Sequence, residues 1–301
     1  MKSSKSILRS ILSSALSFCF LALFTGALQG AQAVPAKPAF SVKTTGHGRP
    51  LIFIPGMSSS GEVWDATVAH FSERFECHVL SLAGFAGQPA VQDRLLEQVR
   101  DQLADYIEKH HLDHPYIVGH GIGGFVGLWL ASTKPSAVGR LVILDCLPFL
   151  PASFDPKATP DTVRANAEQF RLIMSDPNTF KKNSLAAIPT LVSSPEEQKR
   201  LQAWIEATAP AAAGDAVYTL YTTDLREGLR KITAQSLAIG TWIAYKDYAS
   251  RGQIENQFKA QFANLHNAKV VMSDARNFIM LDDPKWLFGQ LDEFLGDASV
   301  K

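Results

Sequence analysis

Two hydrophobic periods alternate along most of this chain. Tyr116-Ile117-Val118 is a short β-branched and aromatic run, which predicts a buried strand. Phe125, Val126, Leu128, Trp129, Leu130 and Ala131 follow at once, apolar around most of a helical circumference, which predicts a helix buried on most sides. Leu95, Val99, Leu103 and Ile107 recur at helical spacing with charged residues between them, giving a helix with one apolar face. Near the end, Asp283 caps a helix that opens on Pro284, buries Leu287, Leu291 and Phe294, and stops at Gly296. Strand-like runs alternating with helical ones predict an α/β fold, a mostly parallel sheet with helices on both faces.

Two stretches break that alternation. Residues 148–235 are rich in alanine, leucine and charge, with turn signals at Asp155-Pro156, Asp176-Pro177 and Ser194-Pro195, and read as several short helices. Phe170, Ile173, Met174, Trp204 and Tyr221 are its large apolar residues, suited either to line a site or to hold these helices together. Residues 1–33 carry a basic start (Lys2, Lys5, Arg9), an apolar stretch from Ile11 to Leu28, and Ala31-Gln32-Ala33 as an A-x-A cleavage site. They read as a signal peptide, so the mature chain is expected to begin at Val34, to be exported (periplasmic or secreted), and to keep no stable membrane anchor. An uncleaved anchor is the alternative, because the apolar stretch is nearly long enough to span a bilayer.

Composition adds bounds rather than direction. The 301 residues carry no net formal charge and are 46% hydrophobic, which suits one α/β domain with an insertion. Neutral charge gives no reason to expect nucleic acid as a partner. Beyond the leader only Cys77 and Cys146 remain, and they read as two separate buried thiols. No His/Cys/Asp/Glu spacing matches a metal site, and no cofactor is expected.

The chemistry centres on Gly119 to Gly124, Gly-His-Gly-Ile-Gly-Gly, between the strand at 116–118 and the helix that follows. A phosphate-binding loop would need a lysine and a Ser/Thr that are absent, and no dinucleotide fingerprint fits. Strand, sharp turn and buried helix instead suit the G-x-S-x-G nucleophile elbow, with Gly121 where the serine should stand. The chain resembles the α/β-hydrolase family over nearly all of the length after residue 33. Residues 50–56, 78–87, 141–145, 237–243 and 269–272 look like successive strands and turns of that fold. The resemblance implies a helical cap at 148–235, inserted after the sixth strand into a core formed by 34–147 and 236–301.

An acyl-transfer hydrolase needs a nucleophile, a base, an acid that orients the base, and backbone donors for the oxyanion. The resemblance places these at Gly121, Asn277 and Asp145, with the amides of Met57 and Ile122 as donors. Gly121 has no side chain, and glycine is expected to relax the strained turn. Asn277, in Ala275-Arg276-Asn277-Phe278-Ile279-Met280, stands where histidine is expected, and an amide cannot shuttle a proton near neutral pH. Asp247 is the alternative acid. None of the eight histidines repairs the loss, and His120 is expected to pack behind the sheet rather than into the cleft.

Two readings follow. The first is a scaffold of ester or acyl hydrolase ancestry, inactive or nearly so. The second is a binding protein that holds a small ester or acyl/carboxylate ligand in the capped cleft.

Overall fold

The structure, a computed structural model, describes residues 37–296. The leader at 1–33 and the expected new terminus at Val34 lie outside them. No helix among the described residues is long and apolar enough to cross a membrane.

Seven strands form one sheet: β1 (Phe40–Gly46), β2 (Arg49–Ile54), β3 (Phe75–Leu82), β4 (Tyr116–His120), β5 (Arg140–Leu144), β6 (Gln235–Thr241) and β7 (Ala268–Ser273), in the spatial order β1-β3-β2-β4-β5-β6-β7. All neighbours from β3 to β7 run parallel. Leu51–Ile54, Ile117–Val118, Leu141–Leu144 and Leu237–Ile239 are buried without interruption, because strands covered on both faces have no solvent side to reserve for polar residues. The edge strand β1 pairs antiparallel with β3. Its run Ser41-Val42-Lys43-Thr44-Thr45 is largely exposed and has no continuous apolar stretch, so the hydrophobic pattern did not mark it.

Among the described residues there are ten α-helices: α1 (Asp65–Phe71), α2 (Leu95–Lys109), α3 (Ile122–Thr133), α4 (Pro160–Ser175), α5 (Pro177–Leu191), α6 (Pro195–Glu206), α7 (Pro210–Thr222), α8 (Arg251–Gln261), α9 (Ile279–Asp282) and α10 (Pro284–Leu295). Leu95, Val99, Leu103 and Ile107 form the buried face of α2, and the Arg100 guanidinium lies 4.2 Å over the Trp129 ring of α3. On α10, Asp283 accepts from the Trp286 amide at 3.1 Å. Gly296 ends that helix at φ 65°. Its inner stripe is Leu287, Leu291 and Leu295, whereas Phe294 is half-buried against the Arg140 guanidinium.

Helices α4 to α7 occupy the stretch between β5 and β6. Thr159, Asp176 and Ser194 each accept a backbone N–H at a helix start, with proline in the first turn, so side-chain caps and fixed proline φ punctuate the three starts. The insertion follows the fifth strand of the described sheet, not a sixth. The count was carried over from a family pattern with one more strand before this point, while the place in the sheet, after the strand that succeeds α3, is as expected.

The closest backbone approach in the core is between α3 and the sheet. A Cβ on Gly123 would overlap the Ile54 carbonyl oxygen, and one on Gly119 would overlap that of Gly123. Both neighbours are backbone and cannot turn aside. Gly123→Ala should therefore push α3 off β2 and destabilise the fold by about 3 kcal/mol. The urea midpoint of the two proteins tests this, and an unchanged midpoint would mean that the helix can shift freely.

Candidate active site

The carboxyl ends of β2, β4, β5 and β6 meet at one edge of the sheet, where open α/β folds place their ligands. The turn after β4 sets the floor of the site. Gly121 has φ 51° and ψ −118°. It is held from both sides, donating to the Leu144 carbonyl at 2.9 Å and accepting from the Phe125 amide at 3.0 Å. Glycine thus relaxes the strain of this turn but not its shape. Glycine removes the strain a side chain would feel, while the flanking hydrogen bonds keep the sharp shape. A Cβ at Gly121 would meet nothing nearer than the Gly56 Cα at 3.9 Å, so the space for a side chain is open.

Asp145 leaves β5 at φ 45°, its amide donating to the Ile239 carbonyl at 2.7 Å. Its carboxylate accepts from the Thr241 amide at 3.0 Å and from Asn277 Nδ2 at 2.5 Å. Asn277 sits in the loop between β7 and α9. That loop is fastened by the Arg276 amide donating to Asp282 Oδ2 at 2.9 Å, and by the Phe278 amide donating to the Leu191 carbonyl at 3.0 Å. Asn277 Oδ1 in turn lies 3.1 Å from Nε2 of His120. The three side chains form one chain of hydrogen bonds, Asp145–Asn277–His120. Since the amide oxygen can only accept, the neutral imidazole carries its proton on Nε2.

His120 thus points into the site, correcting the expectation that it packs behind the sheet. It is 2% exposed, its ring lies 4.7 Å from that of Phe278, and its Nδ1 is buried without a hydrogen-bond partner. A Cβ on Gly56 would stand only 2.6 Å from that Nδ1, so Gly56 is what covers it. Strand periodicity could not reveal this, because it cannot say which face of β4 carries the cavity at its last residue.

The electrostatics follow from enclosure. Burial lowers the His120 pKa to about 4, only partly offset by the bond to Asn277. Burial raises the Asp145 carboxyl, while the bonds from Asn277 and Thr241 pull it back. Burial and then the neighbouring Asp145 charge raise the Cys146 thiol, so it is not a thiolate nucleophile. Cys77, inside β3, is pushed up to about 12 by burial, and both cysteines are free. Asp247 lies in an exposed turn and does not line the cavity. Among the described residues no group of three or more His, Cys, Asp or Glu is placed to hold a metal ion.

Met57, Gly121, Ile122, Asp145 and Asn277 all line one cavity of about 680 Å³. As the first residue of α3, Ile122 has no helical carbonyl for its N–H. Met174, Ala187, Leu191, Leu201, Ile205 and Leu220 close the cavity from the inserted helices. Of the large apolar residues singled out there, only Met174 lines it. Phe170 and Ile173 are exposed, Tyr221 packs on Phe170 at 5.1 Å, and Trp204 is buried beneath the Arg200 guanidinium. Among the described residues no lysine or arginine lines the cavity.

A family model described as the alpha/beta hydrolase family matches residues 51–290. The chain belongs to that family. It is 27% identical over 207 residues to a pimeloyl-[acyl-carrier protein] methyl ester esterase of Nitrosomonas europaea, an overlap of 66% of this chain and 78% of that one. Among solved structures, a thermophilic esterase from Thermogutta terrifontis (malate bound) superimposes with a TM-score of 0.70 at 17% identity, over 85% of this chain and 92% of that one. The enol-lactonase from Burkholderia xenovorans LB400 does so with a TM-score of 0.68 at 14% identity, over 86% and 96%. These two likenesses carry the hydrolase fold.

The buried imidazole gives this hydrolase scaffold a pH signature. Between pH 6.5 and about 4 the unfolded chain binds a proton at residue 120 that the native state refuses, so stability falls as pH falls through that window. Relative to His120→Gln, the native sequence should lose on the order of 3 kcal/mol from pH 6.5 to 4. Asp145 works in the opposite direction, because its raised carboxyl disfavours the fold as pH rises, but it is present in both proteins and drops out of the difference. Urea titrations across this range give the measurement. A pH-independent difference would mean that the imidazole is not held neutral.

Proposed function

We propose that this α/β-hydrolase-family protein holds a small, uncharged ester or acyl-type molecule in its cavity and, with this sequence, does not turn it over through an acyl-enzyme. The observation that carries the reading is Gly121, which keeps the geometry of a nucleophile elbow at the cavity floor while offering no atom that could attack. The rest of the site agrees. Asn277 ties up the Asp145 carboxylate but neither takes nor releases a proton near neutral pH. His120 is coupled to Asp145 only through that amide, and Cys146 is held as a thiol. In this reading the Met57 and Ile122 amides receive the ligand's carbonyl oxygen.

The lining supports an uncharged ligand over the free carboxylate that the sequence also admitted. Apolar residues dominate it, no lysine or arginine is present, and a second carboxylate would enter beside Asp145. An ester is also the group named for the Nitrosomonas relative. The leader at 1–33 would put this binding outside the cytoplasm.

Hydrolase ancestry draws support from the vacant space above Gly121 and from the Asp145 carboxylate bonded to the side chain at 277. The native sequence should release no p-nitrophenol from p-nitrophenyl butyrate above the buffer rate. Gly121→Ser/Asn277→His should raise the rate by at least about 10²-fold as nucleophile and base return. Saturable turnover by the native sequence would overturn the proposal. A folded but inert double variant would remove the hydrolytic ancestry and leave the binding reading.

A further inference from the structure

Residues 58–60 are three consecutive serines in the loop after β2, and two of them have evident tasks within the protein. The Ser59 hydroxyl donates to the Met57 carbonyl at 3.3 Å. The Ser60 hydroxyl accepts from the Glu62 amide at 3.3 Å and so starts the short 3₁₀ turn Gly61–Trp64. Ser58 does neither. Among the described residues its hydroxyl makes no hydrogen bond, and Ser58 lines the cavity together with Met57 and Gly121. It is only 9% exposed, so the hydroxyl has little open solvent to turn to.

The backbone adds a second observation. Ser58 adopts φ 58°, in the left-handed region that L-residues disfavour and glycine enters freely. Asparagine and aspartate tolerate that region by bonding to nearby backbone, and Ser58 gains no such compensation. A strained residue whose polar group has no internal partner, placed at a cavity, marks a group held ready for something else.

We propose that Ser58 is a ligand-binding residue whose hydroxyl donates to an oxygen of an uncharged carbonyl compound, supplying from the loop after β2 a polar contact that Gly121 cannot make. This rests on the binding reading above. The donor is neutral, so it suits an ester or ketone oxygen in a cavity without cations. Ser58 follows Met57 directly, and both residues line the cavity.

Ser58→Gly separates this role from a structural one, because glycine accepts the φ and loses only the side chain. The probes are 1-(4-nitrophenyl)pentan-1-one and its carbonyl-free analogue 1-nitro-4-pentylbenzene, neither of which can be hydrolysed, so binding is measured apart from turnover. Calorimetry should show the native sequence preferring the ketone, and Ser58→Gly losing about fivefold of that preference with the hydrocarbon affinity unchanged. The variant's Tm should rise by about 2 °C as strain is relieved. A fallen Tm, or equal weakening toward both probes, would overturn the proposal by showing that the serine only shapes the loop. An unchanged ketone preference would overturn it and leave the binding reading intact. Failure of the native sequence to bind either probe would overturn both.

Discussion

Everything in the site hangs from how closely α3 approaches the sheet. Gly119 and Gly123 let the first turn of that helix lie against the carbonyl of Ile54. The Gly121 amide bonded to Leu144 pins the intervening turn to the neighbouring strand. This packing brings the end of β4, the loop after β2 and the start of α3 to one point. Where Gly123 meets Ile54 the contact is backbone on backbone. It leaves little freedom to drift even where the residue at the tip of the turn has no side chain. The turn therefore keeps its sharp shape around Gly121, although glycine places no side chain at its tip.

A second constraint follows at the same edge. Asp145 is enclosed without a cationic partner, and a buried carboxylate must be satisfied by donors. The Thr241 amide and the Asn277 side chain supply them. Asn277 then has an oxygen to satisfy, and His120 turns inward to do so. One buried charge thus explains why three polar side chains converge, and why the imidazole is neutral and directed by an amide. A histidine at 277 could pass a proton between carboxylate and ligand. An amide transmits orientation but not protons, so the arrangement holds geometry and carries no relay.

The cavity above this floor is shaped mainly by aliphatic residues from α5 to α7 and by the absence of basic side chains. Its largely apolar character comes from that lining rather than from any single residue. Polar residues line it at the floor and in the loop after β2, and also on the walls, where Ser153, Asn183, Ser184 and Gln257 stand among the apolar residues.

The sequence by itself determined the elements and the place of the site. Apolar runs gave the central strands, helical spacing gave α2, α3 and α10, and glycines at 119–124 marked the sharp turn. These signals are local, since side-chain period and backbone freedom act over a few residues. Gly121 and Asn277 were legible for the same reason, each lying inside an intact local pattern. Tertiary structure decided the rest. Strand β1 is mostly polar and exists only because β3 offers it an edge. That Asp145 meets Asn277 depends on a contact across 132 positions of the chain. The inward turn of His120, the failure of Phe170 and Tyr221 to reach the cavity, and the unpartnered strain at Ser58 likewise depend on which groups non-local packing brings together. No pattern of neighbours along the chain encodes those distances.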